Sequence, residues 1–215
     1  MENTPRTRIA LAIITLSIAA GSTVTPTASV GPAAVANPAA AAGQTDVSAT
    51  VTITGATSLE DEMVHWALGR FKAAGLALPQ VDVVFHSDTT ACLDFIGYYS
   101  STTSRVDICN RDDQSTDPKN TVLHELAHAW SFAHMTETDI ADFVTHRDLD
   151  GWDSNDLAWW KMGQEQAAEI IAWGLQGPNE YQSIWIHLET CDDLAADFEL
   201  LTGTPPLHTN TRYCK

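Results

Sequence analysis

Residues 124–128 read His-Glu-Leu-Ala-His. On an α-helix, residues four apart lie on one face, so His124 and His128 can aim two imidazoles at one zinc ion. Glu125 sits about 100° further round the helix, beside the position such a site leaves open. A carboxylate there can take a proton from a metal-bound water. Chance alone yields this spacing in about one chain in seventy of this length and composition, so the surrounding sequence has to decide. It agrees: Asp117-Pro118 is an N-cap followed by proline at the first helical position, which predicts a helix from there to about Phe132. Leu123, Leu126, Ala127 and Trp130 give that helix an apolar side to bury.

A catalytic zinc takes three protein ligands and one water. Two sets of residues compete for the third place. One is the run Glu165-Gln166-Ala167-Ala168-Glu169-Ile170-Ile171-Ala172-Trp173-Gly174. Glu165 and Glu169 share a helical face, and Ala167-Ala168 would let two helices approach closely. Glu165 could bind zinc while Glu169 accepts the free N–H of His124 and fixes the imidazole. The other is His134, six residues after His128, with Ser131 where a turn-forming glycine would be needed. On a continuing helix His134 lies about 240° from His128 and faces away. A histidine at a helix end, favoured by the dipole, is its simpler role.

His124-Glu125-x-x-His128 with the later Glu165-x-x-x-Glu169 resembles the gluzincin group of zinc metallopeptidases. The resemblance implies a zincin-like fold, with Glu125 as general base, Glu165 as third ligand and Glu169 supporting a histidine. More closely, the chain resembles small exported bacterial proteins with the same metal helix. These carry a Cys…Gly-x-Tyr…Ile-Cys hairpin before it, here Cys92, Gly97, Tyr99, Ile108 and Cys109. In zincins an antiparallel edge strand beside the cleft pairs with an extended substrate. Arg105–Cys109 is the best match for that strand. The resemblance also implies a group that stabilises the tetrahedral intermediate, for which His146, Arg147, Tyr181 and His187 are candidates.

Several elements must position these groups. Val47–Thr54 alternates and reads as a strand. Thr57-Ser58 followed by Glu60-Asp61 starts a helix that Gly75 stops. Val81–Phe85, Gly97–Ser100 and Arg105–Cys109 read as strands, the last two as a hairpin. Further helices are predicted over 136–147, 157–175 and 190–201, with a loop over Asp148–Asp156 whose acidic spacing matches no EF-hand. Strands with one helix, then helices only, predict an α+β domain.

Cys92, Cys109, Cys191 and Cys214 are an even set with no zinc-ribbon spacing. Three pairings are open. Cys92–Cys109 and Cys191–Cys214 are favoured because each closes a short loop, the first worth about 3 kcal/mol by chain entropy. Disulfides imply an oxidising compartment. Arg6 and Arg8 precede an uncharged apolar run, Ile9–Gly21, that is shorter than the roughly twenty residues a membrane span needs. This reads as a secretory signal, with Ala34-Val35-Ala36 or Thr27-Ala28-Ser29 at the cleavage site. Residues 1–36 are therefore expected to be a signal peptide, 37–48 a low-complexity linker, and 49–215 the catalytic domain.

The chain has 215 residues, 28 acidic against 11 basic, and a net charge of −17. Such a surface repels nucleic acid and anionic lipid. The combined expectation is a secreted, monomeric zinc metallopeptidase acting on a peptide or protein, with no stable membrane anchor after signal cleavage. A non-catalytic zinc- or partner-binding module, or a metal hydrolase of a non-peptide amide or ester, are the alternatives.

Overall fold

The computed structural model describes residues 50–93, 95–109, 118–153, 157–177 and 190–208. The predicted signal peptide, the linker, Val47, Asp117, Tyr181, His187 and Cys214 lie outside them. The described part is a mixed α+β domain. Its elements are β1 (Val51–Thr54), α1 (Ser58–Ala73), β2 (Val81–His86), β3 (Gly97–Ser100), β4 (Arg105–Cys109), α2 (Pro118–His134), α3 (Glu137–His146), α4 (Gly163–Leu175) and α5 (Cys191–Thr202).

The capping chemistry read from the sequence forms as expected at α1. The Glu60 N–H donates to Thr57 Oγ1, and the Thr57 N–H donates to the Glu60 carboxylate at 2.7 Å. Gly75 ends the helix with φ +74°, and the Leu76 N–H reaches back to the Phe71 carbonyl. Helix α1 is the crossover between the parallel strands β1 and β2. Strand β4 joins the far side of β2 in parallel, and β3 pairs antiparallel with β4. The sheet order is β1-β2-β4-β3.

This order corrects one expectation. Arg105–Cys109 is an interior strand, and the antiparallel edge strand is β3. The burial agrees: Val106, Asp107, Ile108 and Cys109 are all buried, as suits a strand paired on both sides.

The core lies between the sheet and the helices. Val64, Ala67 and Phe71 of α1 and Val81, Val83 and Val106 of the sheet belong to one buried core. Helix α2 runs through the middle, with Val122, Leu123, Leu126, Ala127 and Ala129 fully buried. Helix α4 packs against it and adds Ala167, Ala168, Ile170 and Ile171 to the same core, and α5 packs on α4 and adds Leu194 and Phe198. Burying a side chain such as Leu126 or Ile170 stabilises by about 1.5–3 kcal/mol. The two helices that carry the candidate ligands are thus the most deeply packed, and their side chains are held by the core itself.

Helix α4 begins later than the sequence predicts. Residues Trp159–Lys161 form one 3-10 turn, and Met162 is extended. The N–H groups of Gly163 and Gln164 donate to the carbonyls of Gly151 and Trp152, both at 3.0 Å. These bonds to the preceding loop satisfy amides that a helix start leaves without partners, so the helix begins there.

Cys92 and Cys109 are disulfide-bonded, with Cα atoms 6.1 Å apart. Cys191 is also disulfide-bonded. Among the described residues no helix is long and apolar enough to cross a membrane.

Candidate metal centre

His124 and His128 project from α2, and Glu165 and Glu169 from the first two turns of α4. The facing helices bring them into one buried cluster. His124 Nε2 lies 3.1 Å from Glu165 Oε2 and 3.1 Å from His128 Nε2. His128 Nε2 lies 3.4 Å from Glu165 Oε2. A tetrahedral ion with ligand distances of about 2.0–2.1 Å holds its ligand atoms about 3.3 Å apart. The three atoms therefore trace one face of such a shell, and the group could hold a metal ion.

The fourth carboxylate has a different place. Glu169 Oε2 lies 3.0 Å from His124 Nδ1 and accepts its N–H. In the neutral imidazole this leaves the Nε2 lone pair directed at Glu165 and His128, the form a metal would bind; in the protonated ring Nε2–H instead donates to Glu165. Trp159, from the 3-10 turn before α4, stacks on the His124 ring with centroids 6.0 Å apart. The imidazole is thus held by a carboxylate at one nitrogen and by an aromatic ring on its face.

Glu125 is 6% exposed and lies against β3. Burial raises its pKa, offset in part by the neighbouring imidazoles and by the Tyr99 backbone amide, which donates to it. Burial disfavours charge on His124, but the carboxylates of Glu165 and Glu169 outweigh it and raise the His124 pKa well above its usual value. Burial also disfavours charge on Glu165, yet hydrogen bonds from both histidines hold its carboxyl well below the usual carboxylate range. A carboxylate kept ionised beside two imidazoles, with a second carboxyl of raised pKa next to them, suits a cation site with an adjacent base.

The other candidates lie elsewhere. His134 Nε2–H donates to the Ala77 carbonyl at 2.6 Å, and its ring stacks on Trp130, so it is engaged outside the cluster. His146 and Arg147 both bind Asp197, at 2.9 and 2.7 Å, and Arg147 also binds Gln166. They line a separate cavity of about 520 Å³ together with Asp150 and Lys161, and no member of the metal cluster lines it. Trp159 was not readable as part of the site, because nothing in its spacing ties it to His124.

The chain matches no family model, no curated protein and no solved structure.

Proposed function

We propose that the protein is a secreted zinc-dependent peptidase of gluzincin type on a zincin-like scaffold. The observation that carries this reading is the triangle of His124 Nε2, His128 Nε2 and Glu165 Oε2, with sides of 3.1, 3.1 and 3.4 Å, beside the buried Glu125. Two imidazole nitrogens and one carboxylate oxygen are the ligand set of a catalytic zinc site with one open position. A structural zinc would instead be closed by a fourth protein ligand, and would have no use for a base beside it. Zinc bound there would polarise a substrate carbonyl and lower the pKa of a water to about 7.

The chain's own groups have distinct roles. Glu125 accepts the proton of the attacking water and returns it to the leaving nitrogen, work suited to a carboxyl whose pKa burial has raised. Glu169 holds the His124 imidazole in one orientation and tautomer. Strand β3, unpaired on its outer side among the described residues, offers an extended peptide a place beside Glu125. The Cys92–Cys109 disulfide favours an oxidising compartment, which accords with export by residues 1–36. We take the secreted form to be monomeric.

The test is metal analysis of the purified protein together with peptide-library hydrolysis by wild type and Glu125→Gln. The expected result is one zinc per chain in both proteins and cleavage by wild type alone. Absence of stoichiometric zinc overturns the reading. Zinc without cleavage of any peptide overturns the peptidase assignment and favours a binding module or a hydrolase of another bond.

A further inference from the structure

The outer side of β3 is where the sheet meets Glu125. The Cys109 N–H donates to the Ile96 carbonyl at 2.9 Å, and Gly97 is opposite Ile108 in the register. In an antiparallel pair the residues alternate between bonding the partner and facing away from it. Tyr98 and Ser100 thus bond β4, while the N–H and C=O groups of Gly97 and Tyr99 point off the edge. Glu125 comes from α2 to meet this edge. A Cβ placed on Gly97 would lie 2.5 Å from Glu125 Oε1, 2.7 Å from its Cγ and 2.9 Å from its Cδ. No side chain fits at position 97 while Glu125 stands where it does.

We propose that β3 is the positioning element for Glu125: the outward Tyr99 amide holds its carboxylate, and Gly97 is required because that carboxylate occupies the space of a side chain. The strand then has two uses along one edge. Part of its outward hydrogen-bonding capacity orients the base, and the rest has no strand partner among the described residues. The Cys92–Cys109 disulfide supports this arrangement, since it ties the residues before β3 to the end of β4, and the Phe95 N–H bonds back to the Cys92 carbonyl. The catalytic meaning of this positioning rests on the peptidase reading above; the contact itself does not.

The cost of a side chain at position 97 falls unevenly. The crowded atoms belong to the mobile end of Glu125, not to backbone. Gly97→Ala should therefore fold and keep its zinc, with the Glu125 carboxylate pushed off the Tyr99 amide. A displacement of about 1 Å at a reacting group can cost about a hundredfold in rate. The expected loss is of that order in kcat with KM little changed. Glu125→Asp in the Gly97→Ala background should recover part of that loss, because the shorter side chain withdraws from the new methyl.

Amide hydrogen exchange of Tyr99, followed by NMR in the full-length zinc-loaded protein, tests the contact without any substrate. An amide on the free edge of a sheet exchanges fast unless something holds it. The Tyr99 amide should be protected in wild type and exchange about tenfold or more faster in both Glu125→Ala and Gly97→Ala. Equal Tyr99 exchange in wild type and Glu125→Ala overturns the proposal, whatever the protein cleaves. If Gly97→Ala fails to fold, the Glu125→Ala comparison still decides. If wild type cleaves no peptide, the peptidase reading falls while the exchange result still judges the role of β3. A Gly97→Ala protein with wild-type kcat also overturns it.

Discussion

Glu169→Gln isolates the support of His124 from its ligation. The substituted amide keeps the shape and the accepting oxygen that Glu169 presents to His124 Nδ1 at 3.0 Å, but removes the charge. Both partners are nearly dry, with side-chain exposures of 9% for His124 and 3% for Glu169, so solvent screens little of the loss. A hydrogen bond to an ionised acceptor is roughly twice as strong as a neutral one. A neutral amide therefore leaves Nε2 less basic and the ring less firmly held. Changes to such supporting partners cost about 10–100-fold in metal affinity, which is about 1.4–2.7 kcal/mol. Glu165→Ala should cost far more, since it removes one corner of the ligand triangle. Competition of each purified variant against a chromogenic chelator gives the apparent zinc affinity directly. Glu169→Gln should retain one zinc per chain at saturating metal with weakened affinity, and Glu165→Ala should lose stoichiometric binding. Wild-type affinity in Glu169→Gln refutes the supporting role. A larger loss in Glu169→Gln than in Glu165→Ala means the two glutamates have been assigned the wrong way round.

Chelation should lower thermal stability: zinc at a hundred times its Kd adds about 2.7 kcal/mol, or about 5–11 °C in Tm for a domain of this size. Differential scanning fluorimetry with and without chelator measures it, and an unchanged Tm counts against a ligated cluster. In the metal-free protein, His124 has a raised pKa, so its contribution to stability is complete below about 6.5 and is lost as pH rises through the higher folded value. The raised pKa of Glu125 acts in the same direction from its ordinary 4.5 upward, so metal-free Tm should fall as pH rises above about 6.5. The zinc-induced increment should grow over the same range, because ligation needs neutral imidazoles; parallel slopes with and without zinc would contradict this. His134→Ala should keep full zinc content, since His134 is engaged with Ala77 and Trp130. Arg147→Ala leaves the buried Asp197 without its main cation and should cost about 3–5 kcal/mol by chemical denaturation, with zinc content again unchanged.

The parts of the site legible in the sequence are those that helical geometry sets alone. His124 and His128 are four apart, and so are Glu165 and Glu169, so each pair shares a face wherever its helix goes. The apolar residues around both pairs then require the two helices to be buried, and burial against each other brings the faces together. The disulfide between Cys92 and Cys109 was legible from the short loop it closes. Strand neighbours are a different matter. Spacing located β2, β3 and β4 closely, but the hairpin β3–β4 can join β2 through either member, and period-two alternation does not choose. The near-continuous apolar run of β4 was the available signal, with Asp107 buried in its midst. The start of α4 was not legible either, because it is set by the bonds of Gly163 and Gln164 to the earlier loop at Gly151 and Trp152. That same break turns Trp159 toward His124.

The cluster itself argues for a metal cation over a proton. Once His124 Nδ1–H is given to Glu169, the His124 Nε2 carries a lone pair. It faces Glu165 Oε2, which can only accept while the carboxyl is ionised, at 3.1 Å. His128 Nε2 completes the triangle at 3.1 and 3.4 Å. A proton on His124 Nε2 satisfies the side facing Glu165. A neutral His128 with its hydrogen on Nε2 can donate to Glu165 as well, but the two N–H groups then face each other across the 3.1 Å side, with ring centroids 4.8 Å apart. A metal cation held by all three atoms would satisfy them at once and leave both imidazoles neutral. Protons and metal therefore compete for the same lone pairs: protons gain as pH falls, and the metal gains as the histidines lose them.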